Sequence, residues 1–155
     1  KCVITQLDSY IKGRLGLIID STGRDYDMIA RQHNILKNLG YDCYMIFVNT
    51  SLEVALQRNA RRERSIPEYI TTNSWNGVQS NLGKFQRLFG MSNFLVVDNN
   101  KSDLELTTLT MNRVSKEVRK YMKTPIQSYI AKRWMASERK AKRRWQSGHK
   151  NIRSQ

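Results

Sequence analysis

Three short apolar runs constrain the fold of this chain more than any other feature. "LGLIID" at 15–20, "YDCYMIFVN" at 41–49 and "NFLVVDN" at 93–99 are rich in β-branched residues and close on an acid or an asparagine. They lack the strict alternation of a half-solvated strand, and read instead as strands buried on both faces. Amphipathic segments lie between and after them. "STGRDYDMIARQHNILKNLG" places Ile29, Ile35, Leu36 and Leu39 near helical spacing and ends at Gly40, a helix stop. "TSLEVALQRNARR" opens with a Thr or Ser N-cap and carries Glu53 in its first turn, where a negative charge is favoured. After an irregular stretch containing Pro67, "KFQRLFG" reads as a short helix, and "LTTLTMNRVSKEVRKYM" as another beyond the third strand.

Strands of that kind alternating with helices imply crossovers, a mainly parallel sheet and helices on both faces, an α/β three-layer sandwich. Ligands in such folds gather beyond the carboxyl ends of the strands. Residues Asp20 to Asp25, Asn49 to Ser51 and Asp98 to Asn100 are therefore expected to line any site, with Thr22 and Arg24 as candidate substrate contacts. With 155 residues, one domain is expected. The boundary falls near Thr124–Pro125, dividing residues 1–122 from a basic helical tail at 123–155.

Charge narrows the partners. The chain carries +14, and ten basic residues against one acidic lie from residue 123 onward, a field that attracts nucleotides, nucleic acid or an acidic surface. The sharpest concentration is earlier, in "ALQRNARRERSIPEYI", where Arg58, Arg61, Arg62 and Arg64 crowd together. Like charges at helical spacing repel, and guanidinium forks matched to phosphate oxygens relieve the cost. A solvated basic face partly neutralised by Glu53 and Glu63 is the alternative.

The order of these pieces resembles the later part of the P-loop kinases related to zeta toxins and polynucleotide kinases. The likeness runs from "LGLIIDSTGRDYDMIARQHNILKNLGYDCYMIFVNTSLEVALQRNARRERSIPEYI" through "SWNGVQSNLGKFQRLFGMSNFLVVDN", roughly residues 14 to 100. It includes a strand ending in an acid, a "LGY" strand, an "RN..R" stretch leading into a lid, and a proline. The resemblance implies phosphoryl transfer from ATP with Mg2+ to an acceptor it does not specify. It also implies donor-phosphate contacts from Arg58 and Arg62, with Arg61 and Arg64 behind them. Asp20 would lie near magnesium and acceptor, and Asp98 and Asn99 nearer the base. For Asp20 a helix cap or turn role stays open, and for Asp98 and Asn99 a turn role.

One departure is large. The phosphate-cradling G-x-x-x-x-G-K-[ST] motif occurs nowhere in the sequence, so the resemblance implies a kinase portion whose N-terminal segment is missing and which has little catalysis by itself. The competing expectation is a non-catalytic α/β module that holds nucleic acid with its arginines and tail.

Other signals are weaker. Trp75 could stack on a base or pack the lid against the core. Trp134 and Trp145 interleave with Lys and Arg over 132–153, suiting nucleic acid, solubility or an anionic surface, although the apolar face is thin for membrane insertion. Cys2 and Cys43 have no metal-ligand spacing, and His33 and His149 build no nucleophilic pair. No metal site, membrane partner or signal segment is expected, and the chain reads as cytoplasmic.

Overall fold

The computed structural model describes residues 8–100 and 104–150. Cys2 and the tail residues beyond Lys150 lie outside them, as does the side chain of His149. Two strands, β1 (Met45–Asn49) and β2 (Phe94–Asp98), form a parallel pair in which Met45 lies opposite Phe94 and Asn49 opposite Asp98. Among the described residues the longer helices are α1 (Tyr26–Asn38), α2 (Leu52–Ala60), α3 (Glu68–Phe89), α4 (Leu104–Lys123) and α5 (Tyr129–Lys150), with a short helical stretch at 8–12 and a 3-10 turn at Met91–Asn93. The arrangement is α/β, and α2 and α3 lie within the crossover between the strands.

The core is small. Ile29, Phe47, Phe85 and Phe94 are buried together, with Tyr26, Val78, Leu82 and Phe89 packed around them. Phe85, fully enclosed, sits on α3, whose ring meets Tyr26 of α1 with centroids 5.5 Å apart. Leu95 and Val97, which alternate with Phe94 along the strand, are buried as well, so β2 is enclosed on both faces as its sequence requires. β1 is covered on one face only: Phe47 is buried while Ile46 and Val48 are exposed.

Two expectations are corrected. The run at 15–20 forms no strand: it is irregular, and Ile18 is 101% exposed. A β-branched run becomes a strand only where a neighbouring edge takes up its amides and carbonyls, and among the described residues the sheet is β1 and β2 alone. Asp20 is consequently not at the end of a strand. The second correction concerns the stretch after Pro67, which is not irregular. A single 22-residue helix, α3, runs from Glu68 through the predicted short helix, because Pro67 suits the residue before a helix and Ile70, Val78, Leu82 and Phe85 continue one apolar face.

The C-terminal helices are fastened to this body at several points. Tyr121 of α4 stacks on Tyr44 just before β1, centroids 4.2 Å apart. The Gln127 amide donates to Asp42 at 3.0 Å. Arg14 donates to the Leu39 carbonyl and lies over the Trp134 ring. Beyond Met135, residues 136–147 of α5 are all exposed.

Candidate functional site at the carboxyl rim

Two of the three segments that the chain order singles out meet directly, and the middle of α3 bonds to them and to the third. At the ends of the strands the Asn99 amide donates to the Asn49 carbonyl at 2.8 Å, and the Ser51 amide donates to Asn100 Oδ1 at 2.6 Å. Asn100 is held in turn by Asp98, whose Oδ1 accepts from its amide and its side chain at 3.0 and 2.6 Å. Asp98 is therefore engaged in an Asx turn that orders the rim. From α3, Trp75 Nε1 donates to the Thr50 carbonyl at 2.8 Å and Gln79 donates to Asn49 Oδ1 at 2.7 Å.

The same helix holds the turn at 22–24. Asn81 is 4% exposed, and its amide donates to the carbonyls of Gly23 and Arg24 at 3.2 and 2.8 Å. Gly23 adopts a φ of +76°, against Phe85 and Val78, a left-handed conformation that glycine takes without strain. Asp25 then caps α1 by accepting from the Met28 amide at 2.9 Å. Asp20, Thr22 and Arg24 are exposed beside this turn.

The arginines occupy a different part of the same crossover. Ser51 caps α2 through the Val54 amide at 3.3 Å, so the helix starts where β1 ends and carries Arg58 in its last turn. Arg61 is the C-cap, and every residue from 60 to 70 is exposed. Asn59, at 6% exposure, spans the turn: its side chain donates to the Ile66 carbonyl at 2.6 Å and accepts from the Ile66 amide at 3.1 Å. Among the described residues the ion pairs are Lys12–Asp8 and Lys120–Glu117, so Arg58, Arg61, Arg62 and Arg64 have no carboxylate partner. No group of three or more His, Cys, Asp or Glu able to hold a metal occurs among the described residues.

The zeta toxin family profile matches residues 2–108. This chain belongs to the zeta toxin family. Membership carries a P-loop NTPase fold and a kinase-like, nucleotide-binding function, while the likeness to polynucleotide kinases stays a resemblance. No curated protein and no solved structure matches the chain. No helix among the described residues is long and apolar enough to cross a membrane.

Within this family member, the sequence pointed to the rim segments and to the arginines but missed the amides that organise them. Asn59, Gln79 and Asn81 are ordinary polar residues in the chain, and their role comes from partners up to 58 positions away. A faint signal existed in α3, where Gln79 and Asn81 interrupt an apolar face built on Val78, Leu82 and Phe85. Trp75 is half-buried with its indole nitrogen engaged by Thr50, the packing alternative of the two its sequence allowed.

Proposed function

We propose that this protein takes part in phosphoryl transfer from ATP, assisted by Mg2+, to an acceptor hydroxyl or phosphate, and that the Arg58–Arg64 turn is the lid meeting the donor phosphates. The observation supporting this reading is a set of four guanidinium groups without carboxylate partners among the described residues, Arg58 at the end of α2 and Arg61, Arg62 and Arg64 on the turn that a buried asparagine closes. Unneutralised, planar and forked, these groups have the chemistry of a phosphate clamp. Phosphoryl transfer needs chiefly positioning and charge neutralisation, which Arg58 and Arg62 would provide first, with Arg61 and Arg64 behind them. Magnesium commonly takes one or two carboxylates together with substrate phosphates, and exposed Asp20 is the candidate carboxylate. Thr22, Arg24 and Trp75 would border the acceptor, and Asp98 and Asn99 the base.

The sequence lacks the glycine-rich loop and lysine that would cradle the triphosphate. Supplying such a segment upstream of Lys1 is expected to yield ATP-dependent labelling of an acceptor, reduced about 100-fold or more by Arg58→Ala with Arg62→Ala. Full labelling by that double variant would remove the lid assignment.

A second reading is favoured by α5. Residues 136–147 carry Arg139, Lys140, Lys142, Arg143 and Arg144 in full solvent, with Trp145 63% exposed, a composition suited to nucleic acid. Binding by this chain that falls steeply with salt supports it, and affinity indifferent to salt counts against it.

A further inference from the structure

The polar face of α4 holds a second concentration of positive charge. Thr107, Thr110, Val114, Glu117, Val118 and Tyr121 are its half-buried positions and mark the face turned to the body. The opposite arc contains Asn112, Ser115, Lys116, Arg119, Lys120 and Lys123, and these residues line a cleft of about 700 Å³ that reaches the bend at Thr124 and Pro125. Only Lys120 has an ion-pair partner among the described residues, Glu117 at 3.4 Å. Among the described residues Lys116, Arg119 and Lys123 bring uncompensated charge to one helix face.

Geometry separates this cleft from the nucleotide reading. α4 follows the carboxyl end of β2 and returns to Tyr44 at the start of β1 through the Tyr121 stack. At 1.5 Å per residue, Lys116 lies about 18 Å and Lys123 about 28 Å along the helix from its first residue. The helix macrodipole accounts for cations in the last turn, where Lys120 and Lys123 stand, but not for Lys116 and Arg119 before it. From Lys116 to Lys123 the row is about 10 Å long.

We propose that this cleft seats the phosphate backbone of a single nucleic-acid strand. Asn112 and Ser115 add neutral hydrogen-bonding groups beside the cations, the mixture that contacts phosphate and sugar. Leu109, Met111 and Met122 are exposed on the same helix but do not line the cleft, and a vesicle arm of the test distinguishes a membrane surface, which would use such side chains for insertion. The anchors from Tyr121 to Tyr44 and from Gln127 to Asp42 hold the C-terminal end of the cleft against the body, so Lys120 and Lys123 are positioned before a strand arrives. The inference extends the second reading to a site outside the tail, and its test substitutes the two helices separately.

The chain with Arg139, Lys140, Arg143 and Arg144 changed to Gln serves as background, to remove the contribution of α5. Anisotropy of a fluorescein-labelled 15-mer of uridine is followed from 50 to 200 mM salt. One phosphate contact from each of Lys116, Arg119 and Lys123 predicts a slope of log affinity against log salt near −2.1, about a 20-fold loss across that range. Adding Lys116→Gln and Lys123→Gln is expected to bring the slope to about −0.7, with the far-ultraviolet circular dichroism unchanged. An unaltered slope and affinity overturn the proposal, as does loss of all RNA binding in the α5 background alone. Binding to phosphatidylserine vesicles without binding to RNA overturns it in favour of a membrane surface. If α4 substitutions act while the α5 background still binds, the cleft stands even where the tail reading fails.

Discussion

Asn59 and Ile66 form a closed pair of hydrogen bonds, one side-chain amide imitating a strand partner for one backbone unit, and the turn bearing Arg61, Arg62 and Arg64 lies between them. The helix end alone does not shape this turn. After Arg61 and Arg62 donate back to Gln57 and Asn59, the next backbone unit to be fastened is Ile66. Removing the amide leaves both Ile66 groups without their partner.

Asn59→Ala should accordingly lower stability by about 1 to 3 kcal/mol in urea denaturation, and should speed proteolytic cleavage after Arg62 and Arg64 more than elsewhere. Asn59→Asp retains the acceptor but sets a carboxylate oxygen against the Ile66 carbonyl, so it should fail to rescue the turn. Equal cleavage in wild type and both variants would show that the pair does not hold the turn.

A second test concerns the attachment of α5. Gly40 has a φ of +97°, and a Cβ there would stand 2.9 Å from the Ala131 nitrogen. Both the left-handed backbone and the approach of α5 exclude a side chain. Gly40→Ala should cost more than about 1 kcal/mol and accelerate hydrogen exchange over the first turns of α5. Exchange unchanged there would mean that α5 is not seated on Gly40.

The third prediction is a pH dependence. Burial pushes the Cys43 thiol above its ordinary range, with Lys37 opposing and Asp42 adding to the shift. Burial likewise raises Tyr44 and Tyr121, helped by Asp42 and Glu117 respectively. Each group releases its proton more readily in the unfolded chain. Their effect is absent at neutral pH, and the folded state loses ground as pH rises past about 8.5 for the thiol and about 10 for the phenols. The urea midpoint should fall over that interval, and Cys43→Ser should remove the earlier part of the fall. A midpoint constant from pH 7 to 10.5 would contradict the burial of these groups.

Legibility in the sequence varied with how local the cause was. The runs that became β1 and β2 were readable because β-branched residues flanked by amphipathic helices have few other uses, and the meeting of segments 49–51 and 98–100 followed from chain order. The run at 15–20 has the same composition but no strand formed, since a ladder depends on an adjacent edge that composition does not report. Pro67 misled in the opposite direction: it punctuates the chain but begins α3, whose apolar face was visible only in part. The amides of Asn59, Gln79 and Asn81 went unread because a side-chain hydrogen bond is decided by what folding brings within about 3 Å.

The amino-acid order alone determined the α/β class, the arginine concentration and the basic tail, because periodicity, β-branching and charge act along the chain. Tertiary structure decided which apolar run became a strand, which amides bind the rim together and which lysines of α4 share a cleft. Those outcomes depend on the directions in which side chains leave packed elements, and on neighbours tens of residues distant that only the folded chain supplies.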